Sequence, residues 1–135
     1  MLIVPFASSL EFLDAIIAGI LENSVLCLFK NNYVPLHTTI LANLTEADFD
    51  GYSRITLTSW PAATLDGNNK ASSALGFQTF TKTGNVTAND IYGVFVLDAF
   101  TNLIYAERFA TAPFTLSVTG QLLLYKPVFT ATSEF

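Results

Sequence analysis

The sequence predicts a mainly β fold: an antiparallel β-sandwich, jelly-roll-like or immunoglobulin-like, preceded by one amphipathic α-helix. About seven short apolar or alternating segments recur at intervals of roughly 10 residues, the spacing typical of sandwiches and barrels. Strong helical periodicity occurs only near the start, so strands do not alternate with helices as in α/β folds. The 135 residues are enough for one hydrophobic core, and we predict a single domain over 1–135.

The first predicted element is an amphipathic helix at about 9–22. Ser8 and Glu11 have the spacing of a capping box, which satisfies free backbone amides at a helix start. Two roles are open for its apolar face: it covers one end of the sheet core, or it docks into a groove of a partner. On the second interpretation, Leu10, Leu13 and Ile17 are candidate partner-interface residues. The apolar residues at helical spacing are Leu10, Leu13, Ile17, Ile20 and Leu21.

The remaining elements are strands separated by turn residues. Residues 61–74 are polar around a central Asp-Gly-Asn-Asn and predict an exposed loop. Thr45 and Asp48 predict one helical turn, and the spacing of Phe77 and Phe80 predicts a bulge. The predicted strands are 24–30, 53–60, 75–83, 91–98, 103–109, 114–120 and 121–129.

Charged residues are scarce. They make up 13% of the chain, whereas globular proteins average about 25%, so much of the surface must be neutral. That surface is either an ordinary one rich in Thr, Ser and Asn, or one that other subunits cover; we favour the second. The net charge is −5 and no basic run occurs, so we expect no nucleic-acid partner.

The start of the chain does not predict a membrane segment. Glu11 and Asp14 interrupt its apolar stretch, and no Lys or Arg precedes that stretch as a signal peptide requires. The stretch is also shorter than the ~20 apolar residues that span a bilayer. We therefore expect no membrane association.

Residues for catalysis and metal binding are few. One histidine, His37, and one cysteine, Cys27, do not form a zinc pattern, and a disulfide within the chain is excluded. Asp48 and Asp50 lack the glycine and glutamate that a calcium loop places after them. No nucleophile-elbow motif or glycine-rich phosphate loop occurs. We expect no enzyme activity and no cofactor.

Glu107 and Arg108 are adjacent in "LIYAERF", a predicted strand. Alternation places Leu103, Tyr105, Glu107 and Phe109 on one face and Ile104, Ala106 and Arg108 on the other. The two charges therefore point in opposite directions and cannot act as one acid–base unit. Each is a candidate for a cross-strand contact within the chain or for a contact across a subunit interface.

Aromatic residues are plentiful, with 12 Phe, 5 Tyr and 1 Trp. Most lie at strand spacing, which indicates core positions. Trp60, Tyr52 and Tyr92 are the candidates for an exposed aromatic surface on which a sugar stacks.

The order of segments adds a resemblance. "DFDGYSRITLTSW", "FQTFTKTG", "DIYGVFVLDAFTNLIYAERFA" and "LLLYKPVF" resemble small virion proteins of tailed bacteriophages, over about residues 26–129. The resemblance implies a capsid decoration (cement) protein with a β-sandwich fold. Such a protein binds the major capsid protein, commonly as a trimer, and stabilises the shell by linking capsomers.

On this resemblance the chain belongs to the virion, on the capsid surface, and to the host cytoplasm during assembly. The helix at 9–22 is then the candidate capsid contact and the loop at 61–74 the exposed tip. Two alternatives remain open: a tail or baseplate connector, and a glycan-binding module of the same fold.

Overall fold

The computed structural model describes residues 9–66 and 70–132, and the fold there is mainly β. The sheets are antiparallel and one short helix precedes them, as predicted. Ser8, the first residue of the expected capping box, lies outside the described residues. The strands are β1 (Ser24–Phe29), β2 (Ile55–Leu57), β3 (Thr64–Leu65), β4 (Lys70–Ala74), β5 (Gln78–Thr81), β6 (Asn89–Ile91), β7 (Gly93–Leu97), β8 (Leu103–Arg108), β9 (Phe114–Leu116), β10 (Leu122–Tyr125) and β11 (Val128–Thr132).

The N-terminal helix begins as α1 (Ser9–Ile16) and ends in a π-helical turn (Ile17–Leu21). Leu13, Ile17 and Leu21 follow at intervals of four and are buried in the main core. At Asn23 the backbone has a φ of 64°, and the chain then enters β1. The helix therefore covers the core, the first of its two predicted roles.

Four strands form the central sheet, in the order β2-β1-β7-β8. One face of β1 and β7 contributes Leu26, Leu28, Val94 and Val96 to the main core. The opposite face enters a second core with side chains from the 30–45 segment. Because both faces are covered, β1 and β7 are apolar at almost every position instead of alternating. The buried residues of the second core are Cys27, Phe29, Leu44, Phe95 and Leu97.

The second layer is an antiparallel ladder, named here the outer ladder. Its two long segments are 70–81, with β4 and β5, and 122–132, with β10 and β11. The register changes by one residue between these pairs, and the amide of Leu75 bonds the carbonyl of Pro127 at 3.0 Å in the gap. The inner face of this ladder contributes Ala71, Phe80 and Leu123 to the main core. β3 pairs with β4, and β6 separately pairs with β9.

The prediction of a loop over 61–74 was wrong. This stretch contains β3 and β4, and β4 lies between β3 and β11. Ala71 and Ser73 on β4 are buried, so small side chains here allow close packing beneath α1. Residues 67–69 lie outside the described residues.

Of two smaller predictions, one failed and one was confirmed. The helical turn expected at Thr45–Asp48 is replaced by a bridge between Glu46 and Phe29, and a 3-10 turn lies earlier, at Leu41–Asn43. The irregularity expected from the spacing of Phe77 and Phe80 is present just before β5, because residues 75–77 lie opposite only 126 and 127, while β5 itself pairs regularly with β10. Among the described residues, no helix is long and apolar enough to cross a membrane.

Candidate interaction surfaces

The candidate helix residues pack inside this chain. Leu13 and Ile17 are 2% and 7% exposed, and Leu10 packs partly buried against the same core. Docking of this face into a partner's groove would require the helix to leave its own core first. The apolar stripe of the helix is therefore not a free surface in this structure.

Trp60 is a core residue. Its side chain is buried, and its indole nitrogen donates to the carbonyl oxygen of Leu21 at 3.0 Å. The ring meets Phe129 edge to face, with centroids 5.6 Å apart. A sugar has no access to either face of an indole packed in this way.

Tyr52 and Tyr92 lie on opposite sides of the central sheet. Tyr52 packs against the main core, where its hydroxyl donates to Glu46 at 2.8 Å and its ring stacks on Phe80 at 6.0 Å. Burial raises the pKa of Tyr52. Tyr92 packs against the second core. The predicted aromatic surface of Trp60, Tyr52 and Tyr92 is therefore not assembled.

A bulge on β8 modifies the predicted strand faces. The register shifts between Val96 and Leu97, which pair with Tyr105 and Leu103. Tyr105 and Glu107 still share one face, and Ala106 and Arg108 the other. Leu103, however, packs with Ala106 on the second core, and Ile104 packs on the main core. The opposite orientation of Glu107 and Arg108 is as predicted, whereas Leu103 and Ile104 exchange sides.

Arg108 contacts neighbours within the chain. Its Nη1 lies 2.7 Å from the side-chain oxygen of Asn32 and 3.3 Å from the carbonyl oxygen of Tyr33. The guanidinium also lies 5.0 Å from the centroid of the Tyr92 ring, a cation–π distance. Arg108 thus connects the 30–45 segment to the central sheet by hydrogen bonds.

Glu107 is exposed, and its carboxylate accepts hydrogen bonds from two hydroxyl groups. The hydroxyls of Tyr105 and Tyr125 donate to the same carboxylate oxygen, Oε2, at 2.6 and 2.8 Å. Burial, followed by the bond to Glu107, raises the pKa of Tyr105 to about 12 and also raises that of Tyr125. Both phenols therefore stay protonated and keep donating at neutral pH. This cluster joins the edge of the central sheet to the outer ladder.

The outer ladder presents an open face to solvent. Alternation turns one set of its side chains away from the core, and none of them is buried. This outer sheet face consists of Ser72, Ala74, Thr79, Thr81, Leu122, Leu124, Lys126, Val128 and Thr130.

The outer sheet face contains no acidic residue, although the whole chain has 11 acidic and 6 basic residues. Leu122, Leu124 and Val128 are large apolar side chains exposed there. Lys126 is its one charge, and Lys70 lies at its end. Neither lysine belongs to the ion pairs found within 9–66 and 70–132. Along the second segment of the ladder, every even-numbered residue from 122 to 130 is exposed.

A buried ion pair stabilises the turn beside the outer ladder. Lys82 is fully buried, and its Nζ lies 3.0 Å from Oδ2 of Asp50. The same oxygen accepts the amides of Val86 at 2.6 Å and Thr87 at 3.0 Å. These bonds and Lys82 lower the pKa of Asp50. No local sequence pattern indicates this ion pair, because Lys82 and Asp50 are 32 residues apart.

Among the described residues, no three His, Cys, Asp and Glu side chains lie close enough to hold a metal ion. Burial raises the pKa of Cys27 to about 12, so its thiol is not a thiolate at neutral pH. His37 lines a groove of about 400 Å³ between the 35–39 segment and β8, where the lining residues include the hydroxyl groups of Thr39 and Tyr105 but no carboxylate.

Comparison with protein-family models, with curated proteins and with solved structures gives no match to this chain.

Proposed function

We propose that this chain is a capsid decoration protein of a tailed bacteriophage, which binds the outer surface of the head and stabilises it by linking capsomers. The observation that carries the proposal is the outer sheet face, an exposed β surface with large apolar side chains and no acidic residue. The resemblance of the segment order to virion proteins supports the same role. In this proposal the two layers form a β-sandwich of the jelly-roll or immunoglobulin type.

The chemistry of the outer sheet face suits a protein interface. Leucine, valine and threonine side chains lose little hydration energy on burial, whereas carboxylates would lose much. An interface of standard size buries about 800 Å² on each partner. Lys126, surrounded by neutral side chains, would select an acidic group on the major capsid protein.

Oligomerisation would strengthen such binding. A trimer that touches several capsid subunits makes each further contact effectively intramolecular, so modest single contacts give strong attachment. The outer sheet face would then be shared between the shell and sister subunits. No enzymatic step is needed for this role.

The first test is the copy number of the chain in purified particles from its source, measured by quantitative mass spectrometry against the most abundant shell protein. A ratio near one, or a simple fraction such as one third, is the expected result. A handful of copies per particle would instead support a tail or baseplate connector. Absence from the particle would overturn the virion proposal.

The second test places charge on the outer sheet face. Leu122→Asp with Leu124→Asp should weaken binding to undecorated heads by more than tenfold, measured by co-sedimentation, because both are large exposed apolar side chains of the proposed contact. Phe100→Asp is the matched control, since Phe100 is 83% exposed in the turn between β7 and β8. Equal binding by both variants would exclude the outer sheet face as the contact.

A further inference from the structure

A groove of about 330 Å³ lies where β8 and the following loop meet β10. Glu107 is the one charged side chain in its lining, and the others that bear on the argument are Phe109, Phe114, Leu123 and Leu124. Its volume is at the small end of the range for ligand pockets, which is about 300–1,000 Å³. The groove therefore suits one side chain better than a large ligand.

Hydrogen bonds orient the carboxylate of Glu107 through only one of its two oxygens. Tyr105 and Tyr125 both donate to Oε2, which fixes the plane of the carboxylate from one side. Oε1 accepts no hydrogen bond from a described residue, and Glu107 takes part in none of the ion pairs there. The sequence neighbour Arg108 cannot neutralise it, because that side chain points to the opposite face and contacts Asn32.

Charge and shape together indicate the occupant. An oriented carboxylate with one oxygen free attracts a cation. Phe109 and Phe114, which line the groove, favour a flat cation over a spherical one. A guanidinium is planar, donates hydrogen bonds to carboxylates and packs on aromatic rings, and its aliphatic stem fits beside leucine. We propose that this groove binds an arginine side chain presented by a partner protein.

The inference goes beyond the proposed function and does not depend on it, because it concerns the chemistry of the groove and not the identity of the partner. It assigns Glu107 as the anionic anchor. Tyr105 and Tyr125 are positioning residues that hold the carboxylate. Leu124 also belongs to the outer sheet face, so the groove adjoins that face.

The test uses the full chain and two small probes of nearly equal shape. N-butylguanidinium carries the charge of an arginine side chain, and N-butylurea is neutral. Each is titrated while NMR follows the signals of Tyr105, Tyr125 and Leu124. We expect the guanidinium to shift these signals with a saturable curve and to bind at least fivefold more tightly than the urea. Equal affinities for the two probes would overturn the proposal without any variant.

Glu107→Gln sharpens the test because it preserves shape and an acceptor for both tyrosines. It should reduce guanidinium affinity at least fivefold and leave urea affinity unchanged. Asp90→Asn removes the same charge from an exposed carboxylate that bonds Thr115 at 2.6 Å and should leave both affinities unchanged. If Asp90→Asn weakens guanidinium binding as much as Glu107→Gln, the attraction is a general effect of net charge and the assignment of Glu107 fails.

Discussion

The central sheet is covered on both faces, whereas the outer ladder is covered on one. Side chains of β1 and β7 enter the main core on one side and the second core on the other. The outer ladder gives its inner face to the main core and leaves Leu122, Leu124 and Val128 exposed. Apolar residues are present in both layers, but large apolar side chains are exposed on one face of the outer ladder, whereas both faces of β1 and β7 pack in a core.

This difference predicts which substitutions change the stability of the fold and which change binding to another molecule. Substitutions in the central sheet should change the free energy of unfolding, because they remove contacts on both faces. Substitutions on the outer sheet face should change binding and leave the fold intact. Exposed apolar patches of this kind are typical of surfaces that contact another molecule.

The largest expected effect is at Phe95, which is buried in the second core. Phe95→Ala should lower the free energy of unfolding by about 3–5 kcal/mol, because it removes a ring from a covered site and leaves a cavity. Chemical denaturation followed by circular dichroism measures this change. Phe77→Ala is the matched control, since Phe77 is 65% exposed and should change the free energy by less than about 0.5 kcal/mol. Similar losses of unfolding free energy at both sites would contradict the distinction between covered and exposed regions.

The next effect concerns the helix that covers the main core. Leu13→Ala should lower the free energy of unfolding by about 2–5 kcal/mol, as is usual for a large-to-small change in a core. The same denaturation experiment measures it. Ala15→Ser, on the exposed side of α1, is the control and should change little. If Leu13→Ala left stability unchanged but weakened attachment to a partner, the helix would be a docking element after all.

The central sheet was predictable from sequence for a physical reason. β1 and β7 are continuous apolar runs, since both their faces are covered, and β8 follows after a short polar turn. β4 was missed because its sequence, Lys-Ala-Ser-Ser-Ala, has low β propensity and becomes a strand only between β3 and β11. Tertiary pairing there overrides local preference.

The candidate site was predictable only in part. Alternation on β8 correctly separated Glu107 from Arg108, because side-chain direction is a local property of a strand. The hydroxyl that Tyr125 directs at Glu107 comes from a strand 18 residues away, and no local pattern indicates such a pair. The spacing of Tyr105 and Glu107, two residues apart on one face, was the signal available for half of that cluster.

The smallest expected effect is the pH dependence of the stability that the ion pair between Glu46 and Arg54 contributes. The carboxylate of Glu46 receives two hydrogen bonds of 2.8 Å from Arg54, and these lower its pKa below the ordinary value of 4.5. A carboxyl group with a lowered pKa in the folded state contributes stability that is complete above its unfolded pKa and is lost as the pH falls through the folded pKa. We therefore expect this contribution to decline as the pH falls below the ordinary pKa of 4.5.

Glu46→Gln should remove that contribution, about 0.2–1 kcal/mol for a partly exposed pair, and flatten the decline in unfolding free energy over this range. Denaturation at several pH values, combined with Arg54→Met and the double variant, isolates the pair from other carboxyl groups. The outer sheet face holds no acidic residue, so protection against hydrogen exchange, relative to the intrinsic rate at each pH, should be lost on acidification first near 45–54 and later in β10. Earlier loss of protection in β10 would show that the outer sheet face, and not the 45–54 segment, is the acid-sensitive part of the molecule.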